Sequence, residues 1–288
     1  MEIEVKGHSG CSINIMRQGK DLYILKGTKD VKYIERLYRQ AVKQEKAAKR
    51  KYQFIRIPSI LDIKKTDSEM IMQMEYIYAK NFIDYFENAG FEQVDYFIKA
   101  IDIFLNSEIN NSELQRISSD VVKDKFFDVK HKVESNIMLN NDPIIKDIIK
   151  QSEIIFSNMP DNLYIPIGEC HGDLTFSNIL FNGNNYYLID FLDSFIESPL
   201  LDMVKLRQDT CFKWSVLMYT GHFDVTRFDI TCAKIDAELD HMFSSHEWYR
   251  DYYHPFQLMN FLRVLQYAHE PKVICYLKKV LINILSDE

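Results

Sequence analysis

Short alternations of apolar and polar residues dominate the first third of the chain. EIEV, SINIM and LYILKG are predicted to be strands, because turn-forming residues separate them. A helical pattern starts at Asp30 and is predicted to continue to about Tyr52. IRIPSILDI and EMIMQMEYI then predict two further strand regions. We therefore expect this part of the chain to form a β-rich unit that contains one long helix.

From Phe82 onward the apolar residues recur mostly at helical spacing. One segment breaks this pattern, YIPIGECHGDLTFSNILFNGNNYYLIDF, in which two short strand-like runs meet at Asn182-Gly183. Asn-Gly between such runs favours a hairpin turn. The change of pattern lies between Met74 and Ala79. We predict an α+β chain with a small β-rich N-lobe at 1–76 and a larger, mostly helical C-lobe at 77–288.

The charge of the chain restricts its partners. With 288 residues, 47% of them hydrophobic, the chain is long enough to bury a sizeable core. The net charge of −7 argues against nonspecific nucleic-acid binding, which needs many phosphate-neutralising cations. Through Glu75 there are 16 basic and 10 acidic residues, and beyond it 19 and 32. This asymmetry suits a polyanion bound at one end and a neutral or cationic molecule at the other, or simply two differently charged solvated surfaces.

The five cysteines form no CxxC motif and no metal-ligand cluster, which predicts reduced thiols and a cytoplasmic protein. The first residues, MEIEVKGHSG, lack the charged-then-apolar pattern of a signal peptide. No apolar run approaches the roughly 18 residues that a membrane span requires. We expect neither a membrane span nor a nucleic-acid partner.

Three polar residues surround the predicted hairpin, and the length of its turn decides whether they meet. With a four-residue turn NGNN, Asn178 falls opposite Ile189, and Asp190 is the next residue. A two-residue turn would instead place Asn178 opposite Tyr187. Asp173 lies in the loop before the hairpin. Only the longer turn brings two carboxylates and one amide oxygen together.

Oxygen ligands of this kind suit Mg²⁺ held jointly with substrate phosphates, and one carboxylate can remain to accept a proton from a hydroxyl. Asn178 follows Asp173 by five positions, and Asp190 follows Asn178 by twelve. This order matches the phosphoryl-transfer template of a catalytic-loop Asp, an Asn five residues later and a metal-binding Asp after a short hairpin. The alternative interpretation is a capped turn with Asn178 and Asp190 on the surface.

The phosphoryl-transfer template also needs a loop that covers the phosphates. KGHSGCSINI offers Gly7, Ser9 and Gly10 between two predicted strands, where backbone N–H groups can approach a phosphate closely. The signal is weak by itself, since any hairpin turn can contain two glycines. The chain has no GxxxxGK[ST] motif, so a Walker-type site is not predicted.

A lysine and a helix carboxylate complete the template. In DLYILKG, Lys26 shares a strand face with two apolar residues, and we expect it to need an anion such as a nucleotide phosphate. The alternative is a strand-end lysine that reaches solvent. In the following helix Glu45 lies on the apolar stripe, whereas Glu35 lies off it. We therefore predict that Glu45 pairs with Lys26, and that Lys43 and its basic neighbours form a solvated face.

HGDLTFSN followed by IDF, together with these parts in this order, resembles the aminoglycoside phosphotransferase and choline kinase group, a branch of the protein-kinase-like fold. The resemblance covers nearly the whole chain and implies a bilobal fold with nucleotide between the lobes. It implies that Asp173 is the catalytic base that orients and deprotonates the acceptor hydroxyl. It also implies that Asn178 and Asp190 bind Mg²⁺, and that Lys26 and Glu45 form the ion pair that binds phosphate.

The resemblance further implies a hinge at QMEYI, whose backbone at Gln73, Glu75 and Ile77 would bind the purine. His171 is expected to hydrogen-bond the loop backbone rather than to take part in the chemistry. Asp202 is expected to cap a helix or anchor a loop.

Two departures separate the chain from protein kinases. Leu192 stands where those enzymes have the Gly of DFG, and no APE-like motif follows. The segment 193–209 is also short for a phosphorylatable activation loop. Asp193 fits a surface turn, a metal partner or a substrate contact.

These departures favour an enzyme that transfers the γ-phosphoryl group of ATP or GTP to a hydroxyl of a small molecule, namely an amino sugar, a choline- or ethanolamine-like amino alcohol, or a sugar. The alternative is a catalytically silent, nucleotide-binding regulatory module of the same fold.

Overall fold

The computed structural model describes residues 3–6, 11–217 and 219–286, which form ten strands and nine α-helices. The strands are β1 (Ile3–Lys6), β2 (Ser12–Gln18), β3 (Asp21–Thr28), β4 (Ile55–Arg56), β5 (Ile60–Lys65), β6 (Met70–Glu75), β7 (Glu113–Ser118), β8 (Asn162–Ile167), β9 (Ile179–Asn182) and β10 (Asn185–Leu188). The helices are α1 (Val31–Ala48), α2 (Phe82–Asn88), α3 (Phe91–Asn110), α4 (Asp120–Ser135), α5 (Pro143–Ser157), α6 (Pro199–Thr210), α7 (Val225–Phe243), α8 (Glu247–Leu265) and α9 (Pro271–Ser286). In this described portion, no helix combines the length and the apolar character needed to cross a bilayer.

The chain divides into two compact units, each built from several stretches of sequence. The first unit consists of 1–107, 171–194 and 222–231, and the second of 108–170, 195–221 and 232–288. The first unit therefore extends beyond the predicted N-lobe boundary at residue 76 and includes the HGDLTFSN loop. Strand β6 of the N-terminal sheet ends at Glu75, next to the predicted boundary. The division into an N-lobe at 1–76 and a C-lobe at 77–288 stays a prediction.

The N-terminal sheet of the first unit has the strand order β1-β2-β3-β6-β5, and all its neighbours are antiparallel. Helix α1 packs against it through a core of Cys11, Ile34, Leu37, Ala41 and three methionines of β6. Asp30, at which the helical pattern was predicted to start, is the N-cap, since its side chain accepts a hydrogen bond from the Lys32 N–H. The helix ends at Ala48 instead of the predicted Tyr52.

The predicted strand IRIPSILDI is two strands in different sheets. β5 joins the N-terminal sheet, whereas β4 pairs in parallel with β10 in a separate sheet of order β4-β10-β9. The pairing partner of Ile55 is Tyr186, far along the chain. The local sequence does not show that Ile55 pairs with so distant a strand. This is why one strand region was predicted where the structure has two strands.

Aromatic rings fix the β9–β10 hairpin to helices α2 and α3. Tyr85 of α2 stacks on Phe181 of β9 with ring centroids 4.4 Å apart, and its hydroxyl lies 3.0 Å from the buried hydroxyl of Tyr186. Burial raises the pKa of Tyr85, because a phenolate would be poorly solvated there. Phe86 and Phe97 pack on the same two strands. The hairpin that carries the candidate site therefore rests on a rigid aromatic core.

The second unit contains most of the helices and one strand pair that sequence patterns did not predict. β7 pairs with β8 in antiparallel register, with Glu113 opposite Ile167. The residues of β7 are mostly exposed, so this strand has no apolar periodicity. In α6, Arg207 donates to Asp236 and Asp240 and lies 4.5 Å from the ring centre of Tyr253. This ion-pair cluster joins α6, α7 and α8.

We expect Asp142→Ala to destabilise the second unit by about 1–2 kcal/mol, a loss to be measured by denaturant unfolding. Asp142 caps α5 by accepting from the N–H groups of Ile144 and Ile145, and it pairs with Lys278 at 2.7 Å. The hydrogen bond from Lys278, with the helix N–H groups, lowers the pKa of Asp142. The stabilisation is therefore present above the ordinary aspartate pKa and is lost as the pH falls through the lowered value.

Asp142→Asn is the matched control, because asparagine keeps the capping oxygen and loses the charge. It should cost clearly less than Asp142→Ala at neutral pH. Equal losses for the two variants would show that the cap contributes nothing.

Candidate active site

The β9–β10 hairpin has the register that the longer predicted turn requires. Phe181 pairs with Tyr186, and Asn182 with Asn185. The register continues past the strands, because the Ile189 N–H donates to the Asn178 carbonyl at 3.1 Å. Asn178 therefore lies opposite Ile189, and Asp190 is the next residue. Gly183 in the turn has a φ of 58°, a left-handed conformation that glycine adopts without strain.

Asp173 and Asn178 are held together by a direct hydrogen bond. The Asn178 side-chain nitrogen donates to Asp173 Oδ2 at 3.0 Å and to the Asp173 carbonyl at 2.8 Å. Between them, a single 3₁₀ turn at Phe176–Asn178 buries the Phe176 ring among the aromatic side chains of α2 and α3. Asp173 is half-buried. The loop thus presents a fixed carboxylate whose orientation depends on Asn178.

His171 supports the loop backbone, as predicted. Its ring is fully buried; Nε2 lies 2.9 Å from the Ile189 carbonyl, and Nδ1 accepts from the Asp173 N–H at 3.2 Å. That pairing fits the tautomer in which Nε2 carries the proton and donates to Ile189. The imidazole therefore ties the loop that holds Asp173 to the end of the strand before Asp190.

Lys26 and Asp190 form a direct ion pair. Lys26 is only 3% exposed on β3, between Ile13 and Met72 in register, and its Nζ lies 2.7 Å from Asp190 Oδ1. The alternative of a strand-end lysine in solvent is excluded by this burial. A buried ammonium needs an anionic partner, and here the partner is the carboxylate that the resemblance assigns to Mg²⁺.

The predicted ion pair between Lys26 and Glu45 is not formed. Glu45 is half-buried and pairs with Lys49, the C-cap residue that follows α1, at 3.4 Å. The buried face of α1 includes Gln40 and Gln44, so the helix is rotated relative to the predicted apolar stripe. Because Gln40 and Gln44 are polar, the spacing of apolar residues does not reveal that they lie on the buried face. Glu45 is therefore not part of the candidate site.

A basic residue of α1 that was expected to face solvent instead contacts the site. Lys43 is half-buried, and its Nζ donates to the Leu192 carbonyl at 2.6 Å. Sequence reasoning missed it, because a lysine that binds a backbone carbonyl 149 positions away leaves no local signal. Arg39, one turn earlier, lies 3.7 Å from Asp193, and both side chains are exposed. This surface ion pair was not among the three interpretations of Asp193, which stay predictions.

The Gly172 backbone allows the loop to pass directly beneath Leu192. Gly172 has a φ of 85°, and a Cβ built on it would overlap the Leu192 carbonyl oxygen. We expect Gly172→Ala to destabilise the first unit by about 2–4 kcal/mol in denaturant unfolding, from backbone strain and overlap together.

Gly183→Ala is the control for backbone strain alone, because φ is also positive there but no atom lies within 4 Å of the added Cβ. It should cost about 1 kcal/mol. Equal effects at the two glycines would mean that the contact with Leu192 is unimportant.

The three predicted hinge residues differ in what their backbones can offer. Gln73 lies inside β6, with Leu25 and Asp62 as register partners on either side. The Glu75 N–H donates to the Ser59 carbonyl at 3.0 Å. In contrast, residues 76–79, which include Ile77, make no backbone hydrogen bond to any described residue. Of the three, Ile77 is the residue that uses neither its backbone N–H nor its carbonyl in a hydrogen bond to a described residue.

The phosphate loop predicted at Gly7, Ser9 and Gly10 lies outside the described residues. The strands before and after it, β1 and β2, are antiparallel neighbours, and Lys6 is opposite Ser12. β2 in turn pairs with β3, which carries Lys26.

The residues around Asp190 fit Mg²⁺ that is also bound by phosphate oxygens. The Asn178 side-chain nitrogen is occupied by Asp173, so the amide oxygen is the group left for a ligand, and it accepts no hydrogen bond from the described residues. The Asp190 carboxylate is 32% exposed. Among the described residues, no three His, Cys, Asp or Glu side chains form a metal site by themselves. Two protein oxygens, completed by phosphate and water, are the arrangement that Mg²⁺ prefers at such sites.

Asp202 is fully buried within the first turn of α6 but is not the helix cap. Ser198 is the N-cap, since its side chain accepts from the Leu200 N–H. Of the two expectations for Asp202, the helix cap is therefore wrong, and the loop anchor stays a prediction.

No protein-family model matches the chain, and no curated protein matches its sequence. Solved structures match its fold. A thermostable mutant of the aminoglycoside phosphotransferase APH(4)-Ia, in its apo form, has a TM-score of 0.59 at 11% identity, over 100% of this chain and 94% of that chain. Glucosamine kinase in complex with glucosamine, ADP and inorganic phosphate has a TM-score of 0.67 at 11% identity, over 99% of this chain and 80% of that chain. The chain has the fold of these small-molecule kinases.

A third matching structure is a ligand complex of APH(4)-Ia. The ternary complex of mutant APH(4)-Ia with AMP-PNP and hygromycin B has a TM-score of 0.61 at 10% identity, over 99% of this chain and 93% of that chain. The predicted α+β, kinase-like fold, with a β-rich N-terminal region and a helical C-terminal region, is confirmed, and so is the resemblance to aminoglycoside phosphotransferases at the level of fold. Identities this low carry the fold alone.

Proposed function

We propose that the protein transfers the γ-phosphoryl group of ATP or GTP to a hydroxyl group of a small molecule. The observation that supports this most strongly is one arrangement within the first unit. Lys26 Nζ lies 2.7 Å from Asp190, while Asn178 holds Asp173 at 3.0 Å and keeps its amide oxygen for a ligand. A buried cation, two carboxylates and an amide oxygen in this order are what phosphoryl transfer requires.

Each residue has a defined part in the reaction. Asp173 orients the acceptor hydroxyl and accepts its proton as the oxygen bonds to the γ-phosphorus and the nucleoside diphosphate leaves. Asn178 fixes the Asp173 carboxylate and, with Asp190, would hold Mg²⁺, which supplies positive charge against the phosphates. When the nucleotide binds, its phosphates compete with Asp190 for the Lys26 ammonium, which then neutralises phosphate charge. Catalysis by these groups is positioning and electrostatics.

The nucleotide base would bind at the end of β6. Residues 76–79 have backbone donors and acceptors that no described residue uses, so Ile77 is the residue to which we assign the purine contact. The triphosphate would extend from there toward Lys26, along the sheet in which β6, which ends at Glu75, pairs with β3.

The acceptor class is a hydroxyl-bearing amine or sugar. Beyond Glu75 the chain has 19 basic and 32 acidic residues, a surplus of negative charge that favours an amino sugar or amino alcohol. Two of the matched structures are complexes, one with hygromycin B and one with glucosamine. Of the aromatic residues in this part of the chain, Tyr253 lies beneath Arg207 and Trp248 is buried, so we assign neither of them to a cationic acceptor.

One observation favours the alternative of a nucleotide-binding module without turnover. Lys26 has no carboxylate partner on α1, and its ion pair with Asp190 occupies a group that the metal would need. The experiment must therefore separate binding from transfer.

The test is a nucleotide-consumption screen with ATP and GTP against aminoglycosides, glucosamine, other simple sugars, choline and ethanolamine, with Mg²⁺ and with EDTA. We expect consumption that depends on Mg²⁺ and on one acceptor class. Consumption at background for every acceptor, with nucleotide still bound, would support the regulatory module. Failure to bind either nucleotide would reject both functions.

A further inference from the structure

The segment after β10 is held in a conformation that needs support. Asp190 has a φ of 62°, in the left-handed region that residues other than glycine adopt at a cost. Such a conformation persists only where the surrounding structure fixes it. At Asp190 it directs the carboxylate to Lys26, and the chain then turns through Phe191, Leu192 and Asp193. The contacts of these three residues therefore determine where the Asp190 carboxylate lies.

Two of the supporting contacts come from the catalytic loop. The Leu192 N–H donates to the His171 carbonyl at 2.9 Å, and the buried Phe191 ring lies 4.3 Å from the His171 ring, centre to centre. Gly172 lets the Leu192 carbonyl lie against the loop backbone. These contacts leave the Leu192 carbonyl directed at helix α1.

The other contacts come from α1, through two basic residues one helical turn apart. Lys43 donates to the Leu192 carbonyl at 2.6 Å, and Arg39 lies 3.7 Å from Asp193. Residues four apart share one helix face, so both cations lie on the face that meets the segment. The bond from Lys43 is charge-assisted, short and partly shielded from water, which makes it the stronger of the two.

We propose that Lys43 is a positioning residue for the metal-binding aspartate, and that α1 acts on the site through this lysine instead of through a carboxylate paired with Lys26. Lys43 fixes the Leu192 carbonyl, and the carbonyl fixes the segment 190–193. The segment in turn holds Asp190 in its left-handed conformation, with its carboxylate at Lys26. The inference rests on the proposed function for its consequence, which is metal-dependent nucleotide binding. The positioning itself can be measured without a nucleotide.

The experiment compares the wild-type protein with Lys43→Met, Lys43→Arg and Lys32→Met. Lys32 lies on the same helix with an exposed side chain that makes no ion pair with the described residues, so it controls for loss of a lysine from α1. Two quantities are measured without acceptor. They are the hydrogen-exchange rate of the Leu192 amide and the Mg²⁺ concentration at which Mg²⁺ has half of its full effect on ATP binding.

We expect Lys43→Met to speed exchange at Leu192 by about tenfold or more and to raise the required Mg²⁺ concentration by about tenfold, since a charge-assisted hydrogen bond is lost. ATP binding in EDTA should change by less than about twofold, because the bond from Lys43 to the Leu192 carbonyl involves no group assigned to the nucleotide. Lys43→Arg keeps a charged donor, so its exchange rate at Leu192 and its Mg²⁺ requirement should lie close to those of the wild type. Lys32→Met should match the wild type.

Unchanged exchange at Leu192 in Lys43→Met would overturn the proposal, as would faster exchange with an unchanged Mg²⁺ requirement. If Lys43→Met weakened ATP binding as much in EDTA as in Mg²⁺, the proposal would also be overturned, because the lysine would then be acting on the nucleotide. If Lys43→Met does not fold, Lys43→Gln replaces it under the same criteria. If the wild type binds no nucleotide, the proposed function fails, while the exchange measurement still decides whether Lys43 positions the segment.

Discussion

Asp173→Asn is expected to slow phosphoryl transfer by about 10²–10⁴-fold, the range for loss of a general base. Asparagine has nearly the same shape and can still accept the hydrogen bond from Asn178, which is 3.0 Å long in the wild-type protein. It cannot accept the proton of the acceptor hydroxyl. Binding of ATP with Mg²⁺ should therefore change by less than about twofold, because no part of that binding is assigned to Asp173. The turnover number and the nucleotide dissociation constant are the two measurements.

Asp67→Asn is the control for this prediction, since Asp67 is an exposed carboxylate in the same unit and makes no assigned contact with a substrate. It should leave both measurements unchanged. If Asp173→Asn turns over at the wild-type rate, Asp173 is not the base. If it loses nucleotide binding instead, Asp173 belongs to the metal site.

Asp190→Asn should abolish the dependence of nucleotide binding on Mg²⁺ and reduce turnover by about 10³-fold or more, because a metal ligand at a phosphoryl-transfer site is worth several kcal/mol. The variant also removes the anionic partner of a lysine that is 3% exposed. We therefore expect a loss of folding stability of about 1–3 kcal/mol, measured by denaturant unfolding without nucleotide.

Lys26→Met separates the two members of this ion pair. It should weaken nucleotide binding in both Mg²⁺ and EDTA, whereas Asp190→Asn should weaken it only in Mg²⁺. This contrast follows because Lys26 is assigned to phosphate and Asp190 to the metal. Identical behaviour of the two variants would mean that the ion pair is structural and that neither role has been assigned correctly.

The parts of the site that the sequence predicted well are those set by short-range geometry. The spacing of Asp173, Asn178 and Asp190 depends on one hairpin, and its register was predictable once the turn was taken as NGNN. Lys26 followed from the two-residue period of β3, and its burial is confirmed. His171 was correctly predicted to support the loop.

The parts that the sequence did not predict are set by contacts between distant segments. Glu45 was chosen from an apolar stripe, but buried Gln40 and Gln44 show that α1 turns a different face to the core. Lys43 was expected in solvent, although its partner is a carbonyl after β10. Periodicity reports which side chains are apolar, so it cannot show a buried polar residue whose partner comes from elsewhere in the chain.

The most direct test of the account follows the γ-phosphoryl group itself. ATP labelled in its γ-phosphate would be incubated with Mg²⁺ and the acceptor class found in the screen, in the presence of wild-type protein or Asp173→Asn. We expect label in the acceptor in an amount equal to the ADP formed, at a rate that falls by about 10²–10⁴-fold in the variant. Label that stays in the nucleotide, or that reaches the acceptor equally fast in both proteins, would contradict it.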